Sequence, residues 1–72
     1  MEINVPELDI TLEVGDVVKL GRFDLETWVV KYGWYSWGGN RPTIGWYLTN
    51  TLSQEVKPLY YTDLEDIYLI ES

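Results

Sequence analysis

Apolar and polar residues alternate along much of this chain. Leu8, Ile10, Leu12 and Val14 recur at every second position, with Asp9, Thr11 and Glu13 between them. That is the period of a half-buried strand. Ile3 and Val5 begin a similar alternation that Pro6 interrupts, so residues 3–5 are expected as an arm or an edge strand. Gly15-Asp16 is a turn signal. Val17, Val18, Lys19 and Leu20 form the next short strand, and Gly21 ends it. Residues 21–27, GRFDLET, read as an irregular loop whose Phe23 and Leu25 are expected to fold back onto the core.

The longest alternation runs from Trp28 to Thr49, WVVKYGWYSWGGNRPTIGWYLT, and predicts a β-hairpin. Trp28, Val30, Tyr32 and Trp34 share one face, with Val29, Lys31, Gly33, Tyr35 and Trp37 on the other. In the second strand Ile44, Trp46 and Leu48 oppose Thr43, Gly45, Tyr47 and Thr49. Facing residues of an antiparallel pair point the same way, so the two large apolar rows should meet. This pairs Trp34 with Ile44, Tyr32 with Trp46, Val30 with Leu48 and Gly33 with Gly45. The tip is expected at Gly38, Gly39 and Asn40, or over five residues if Trp37 and Arg41 are unpaired. Trp28, Tyr32, Trp34 and Trp46 are expected in the core.

Beyond the hairpin the pattern shortens. Asn50-Thr51 can open a turn. Residues 55–61, EVKPLYY, read as a strand with Pro58 inside it, which places that strand beside an unpaired edge. Thr62 is expected to cap a single helical turn, with Glu65 three residues on. Ile67 to Glu71 is the closing strand. One domain is expected over residues 1–72, with 1–7 as the arm or edge strand.

Composition narrows the function. A domain of 72 residues buries only about 60% of its unfolded surface. There is no cysteine and no histidine, which removes the disulfide, the thiolate metal site, the usual zinc ligand and the commonest general base. Ser36 and Ser53 therefore have no Ser-His partnership within this chain. Asp63, Glu65 and Asp66 are the densest carboxylates, and as a capped turn they are better read as solvated than as an acid-base pair. Asp16 reads as a turn residue. No enzymatic activity, cofactor or metal is expected. No apolar run approaches transmembrane length and no signal peptide is visible, so a cytoplasmic setting is expected, with no membrane partner. The formal charge is -7, which disfavours a phosphate backbone and suits a basic protein partner.

The stretches GDVVKL at 15–20, the central hairpin, and PLYYTDLEDIYLIE at 58–71 resemble a small SH3-like barrel: all-β, five or six strands, with one short helical turn before the last. The resemblance is architectural. No ALYDY-like segment of the proline-rich-peptide readers is present. The short, acidic, cysteine-free, tryptophan-rich chain also resembles small orphan proteins of bacteriophages and prophages. A five-stranded oligonucleotide-binding barrel is the alternative fold, but the basic face of its nucleic-acid-binding members is missing.

The hairpin holds all four tryptophans and three of the six tyrosines. Tyr35, Trp37 and Tyr47 are expected on its outer face and Arg41 at its tip. Exposed Trp, Tyr and Arg are enriched at interfaces. Three readings follow. The first is a protein-binding module that uses Tyr35, Trp37, Arg41 and Tyr47, with a phage-type modulator of a basic host protein as a special case. The second is an aromatic cage for a methylated lysine or arginine. The third is a self-associating structural protein that pairs through edges near Pro6 or Pro58. The charge generates one expectation of its own: no measurable binding of duplex DNA at physiological salt. A fluorescence titration that found micromolar binding, weakening as salt is added, would contradict it.

Overall fold

The computed structural model describes residues 1–71. Among these residues seven strands, against the five or six expected, form two antiparallel sheets and close no barrel. The small sheet pairs β1 (Glu2–Val5) with β2 (Ile10–Glu13) through a 3₁₀ turn at Pro6–Leu8. The large sheet contains β3 (Val17–Lys19), β4 (Trp28–Tyr35), β5 (Thr43–Asn50), β6 (Val56–Pro58) and β7 (Tyr68–Glu71), in the order β6-β5-β4-β3-β7. One helical turn, α1 (Tyr61–Glu65), precedes β7. The all-β class and the turn before the last strand agree with the sequence pattern. No helix among the described residues is long and apolar enough to cross a membrane.

The hairpin register is the one the alternation predicts. Trp34 pairs with Ile44, Gly33 with Gly45, Tyr32 with Trp46 and Val30 with Leu48. The connection is longer than predicted: the strands stop at Tyr35 and Thr43, leaving Ser36 to Pro42 as the loop. Within it Asn40 donates its N–H to the Trp37 carbonyl at 3.0 Å. Gly38 and Gly39, at φ 59° and 77°, supply the two positive dihedrals of a primed hairpin turn.

The core is small and lies at the body end of the hairpin. Val5, Leu12, Val18, Trp28, Val30, Leu48 and Leu64 are buried, and Ile3, Leu8, Ile10, Leu20, Trp46, Leu59 and Ile67 pack against them. Both sheets contribute, so the β1–β2 pair serves as the second layer that one apolar sheet face requires. Two buried polar residues close the turns around this core. Asp16 accepts a hydrogen bond from the Glu13 N–H at 2.9 Å, and its backbone joins the turn to β4. Asn50 accepts from the N–H groups of Leu52 and Ser53 at 2.9 and 3.0 Å, which orders the loop that the Asn50-Thr51 dipeptide signals. Pro58 sits on β6, an edge strand, where its missing N–H leaves no broken ladder.

Three expectations need correction, besides the strand read over 55–61, of which only Val56–Pro58 is strand while Tyr61 opens α1. Phe23 and Leu25 do not fold back: they stand 85% and 95% exposed. Thr62 does not cap α1. The Asp63 carboxylate instead reaches back to the Tyr60 N–H at 3.0 Å, so the turn starts two residues earlier and the acid at its third position does the capping. The third concerns the apolar row of the hairpin. Trp28 is buried and Trp46 half-buried, but Tyr32 is 38% and Trp34 69% exposed. The row is in register, yet the core ends before the row does.

Truncating the two ends of that row should therefore differ in effect. Trp28→Ala is expected to cost about 3–5 kcal/mol, as for a buried aromatic. Trp34→Ala should stay within about 0.5 kcal/mol of the parent. Denaturant midpoints check this, and equal losses would mean that something covers Trp34.

Candidate functional site

The outer half of the β4–β5 hairpin stands clear of the rest of the sheet. On one side β3 pairs only with Trp28 and Val29. The Gly15-Asp16 turn extends that contact by one residue: Gly15 donates to the Val30 carbonyl at 2.8 Å, and Val30 donates to the Asp16 carbonyl at 2.9 Å. On the other side β6 pairs with Tyr47 to Thr49, and Leu59 donates to the Trp46 carbonyl at 3.2 Å. Backbone groups along an antiparallel strand point alternately to either side. Those of Val30 point away from β5, so those of Tyr32 and Trp34 do too, and beyond the turn no strand among the described residues meets them. The hairpin thus leaves the body as a two-stranded arm with open edges.

The face of the arm that continues the core carries Tyr32, Trp34, Ile44 and Trp46. Ile44 is 52% exposed. The Tyr32 and Trp46 rings meet edge to face at 5.2 Å, a favourable geometry for the ring quadrupoles. On the opposite face Tyr35 and Tyr47 stack, with centroids 4.8 Å apart and planes at 24°. In the register Tyr35 lies one pair toward the tip from Gly33–Gly45, and Tyr47 one pair toward the body. The two rings therefore reach toward each other over the glycine pair, where no side chain stands.

Gly33 and Gly45 have φ of 150° and 158°, a backbone conformation that L side chains rarely adopt. A β-carbon added at either would meet nothing within 4 Å. The requirement for glycine is conformational: the arm departs from ordinary strand geometry at this pair.

Of the residues singled out from the sequence, Tyr35, Trp37 and Arg41 fall on the arm, and Tyr47 lies at its base, where β6 pairs with it. Tyr35 and Tyr47 are half-buried by their mutual stack. Trp37, 39% exposed, and exposed Arg41 lie in the tip loop. The structure adds Trp34 and Ile44 to this surface. A shallow groove of about 320 Å³ lies at the base of the arm, lined by Val14, Gly15, Val29, Lys31, Tyr32 and Tyr47 among others. The charge of the arm differs from that of the body. Between Glu26 and Glu55 there is no carboxylate, and Lys31 and Arg41 are the charged residues of that stretch. All twelve acidic residues belong to the remainder of the chain. Among the described residues no group of three or more acidic side chains is arranged to hold a metal ion.

Comparison with family models, with curated proteins and with solved structures found no match.

Gly33→Ala should destabilise the fold by about 1–3 kcal/mol, the usual cost of holding a non-glycine residue in a sparsely populated region. Since the β-carbon has space, the loss reports on φ alone. A denaturant midpoint equal to that of the parent would show that the arm does not need this backbone bend.

Proposed function

We propose that this chain is a non-enzymatic protein-binding module of the cytoplasm, and that the projecting arm is its contact surface. The observation that carries the reading is the exposure of Trp34, Trp37 and Ile44 on a hairpin that its neighbouring strands do not cover. Apolar area of this kind, concentrated on one projection, marks a surface that another molecule covers. Trp and Tyr give such a contact large rigid area at little entropic cost. Arg41 at the tip adds a planar fork of donors. The stack of Tyr35 on Tyr47 acts as a brace that holds the arm in one shape, so less order remains to be gained on binding.

The scaffold reading belongs to the same proposal. The meander from β3 to β6, the helical turn ahead of β7, and the pairing of β7 back onto β3 support an SH3-like arrangement of strands. The net charge of -7 still favours encounter with a basic partner at long range, while the contact surface itself carries Lys31 and Arg41. Long-range steering and short-range fit are separate terms. They are read separately, in the association rate and the dissociation rate.

The test is the double variant Trp34→Ser with Trp37→Ser, compared with the parent in recovery of binding partners from a cell lysate. Both positions are exposed, so the far-ultraviolet spectrum should be that of a folded chain. Loss of the partners recovered by the parent is the expected result. If the folded double variant recovers the same set, the arm is not the contact surface.

A further inference from the structure

We infer that the arm takes as its partner a second copy of this chain, docking head to tail on the β7 edge of its neighbour. The inference deepens the reading above, because it assumes that the arm is a contact surface and names what covers it.

The large sheet has two outer edges. One outer edge, β6, is three residues long and carries Pro58, which removes a donor and blunts it. The other outer edge is β7. It has four residues, no proline and no lysine, and Tyr68, Leu69 and Ile70 are each about half exposed. Glu71 pairs with Val17 and Leu69 with the adjacent Val18, so Ile70 is an extra residue that bulges from the ladder. The outcome is an apolar strand edge that the described residues leave unpaired. A second open edge belongs to the arm, at the backbone groups of Tyr32 and Trp34. Open edges flanked by apolar side chains are templates for pairing with another chain.

Charge then selects between the ways these edges could meet. The arm carries Lys31 and Arg41 and no carboxylate, whereas residues 59–71 carry Asp63, Glu65, Asp66 and Glu71 and no basic residue. An arm meeting an arm would bring like charges together, and so would β7 meeting β7. Only the arm against β7 brings opposite charges together, and juxtaposed like charge is what excludes wrong pairings. The groove at the base of the arm fits the same arrangement. Side chains alternate along a strand, so a strand added beside Tyr32 and Trp34 turns every second side chain toward that groove. Two molecules of charge -7 repel at a distance, but at physiological ionic strength charges separated by more than about 8 Å are largely screened. Contact is then governed by the local surfaces, and association should rise with protein concentration.

A contact between two different surfaces is heterologous, so it closes into a ring or continues as a filament. This makes a mixing experiment decisive. Sedimentation velocity of the parent chain should show a mass that climbs past the dimer with concentration. Trp34→Glu, which spoils the arm, and Ile70→Lys, which spoils β7, should each sediment as monomers. An equimolar mixture should form a capped dimer, because the intact arm of one variant meets the intact β7 of the other. If Ile70→Lys does not fold, Leu69→Lys replaces it. A parent that stays monomeric up to near-millimolar concentration overturns the inference, and the lysate comparison of Trp34→Ser/Trp37→Ser then still decides whether the arm binds a different protein. Dimers that persist in Ile70→Lys but vanish in Trp34→Glu would overturn it in favour of arm-to-arm pairing. Association that survives in Trp34→Glu overturns it and removes the arm from the contact.

Discussion

The ladder between β4 and β5 is the interaction on which the rest of the structure depends. Its eight paired positions are the longest continuous run in the molecule, and every other strand of the large sheet hangs from it. β3 attaches to the body end of β4, β6 to the body end of β5, and β7 reaches the sheet only through β3. The turns are tied to it as well, through the bonds of Gly15 and Asp16 to Val30 and through Asn50 at the end of β5. A chain this small cannot cover a hairpin of that length on every side. The flanking strands are three residues each where they join it, so cover exists for the first half only. The buried core and the exposed arm are two consequences of one mismatch in strand length.

That mismatch explains how much of the molecule was legible in the sequence. Period-two alternation, together with the requirement that large apolar rows face each other, predicted each hairpin pairing it named, because a slip of one residue would invert every side chain. Turn dipeptides marked Gly15-Asp16 and Asn50-Thr51, and Pro58 marked an edge. The depth of the core was not legible. Alternation gives the face of Trp34 and says nothing of whether another layer reaches it. The signal was present on one side only: the run VVKL is about half as long as β4, whereas EVKPLYY reads as seven residues of strand and only Val56–Pro58 keep that form. Phe23 and Leu25 failed for a related reason. Their apolar character argues for burial, yet a loop is buried only where a surface remains to receive it, and the β1–β2 pair already occupies the face of the core.

The candidate site divides in the same way. Tyr35, Trp37, Arg41 and Tyr47 are proposed through their residue types, which are those that favour interfaces. Trp34 and Ile44 were hidden by that logic, since a large apolar residue on the core-facing row is ordinarily core. The glycine pair was legible as a register feature but not as a conformational one. Facing glycines leave a strip of backbone without side chains. In the structure the Tyr35 and Tyr47 rings lean over that backbone from either side, and the glycines serve a φ that other residues rarely adopt.

Charge placement leads to the last step. Were the carboxylates there only to keep a small domain soluble, they would stand beside the exposed tryptophans as Asp24 and Glu26 stand beside Phe23 and Leu25. The chain does the opposite. Twenty-eight consecutive residues from Thr27 to Gln54 contain no acid, and they include the most exposed tryptophan in the molecule. A carboxylate beside Trp34 or Ile44 would lose its hydration when a partner covers the arm, a cost that grows steeply once water is excluded. Leaving the arm free of acids removes that cost and confines solubility to the body. The distribution supports the proposal that the arm is a surface another molecule covers and not an unfinished edge of the core.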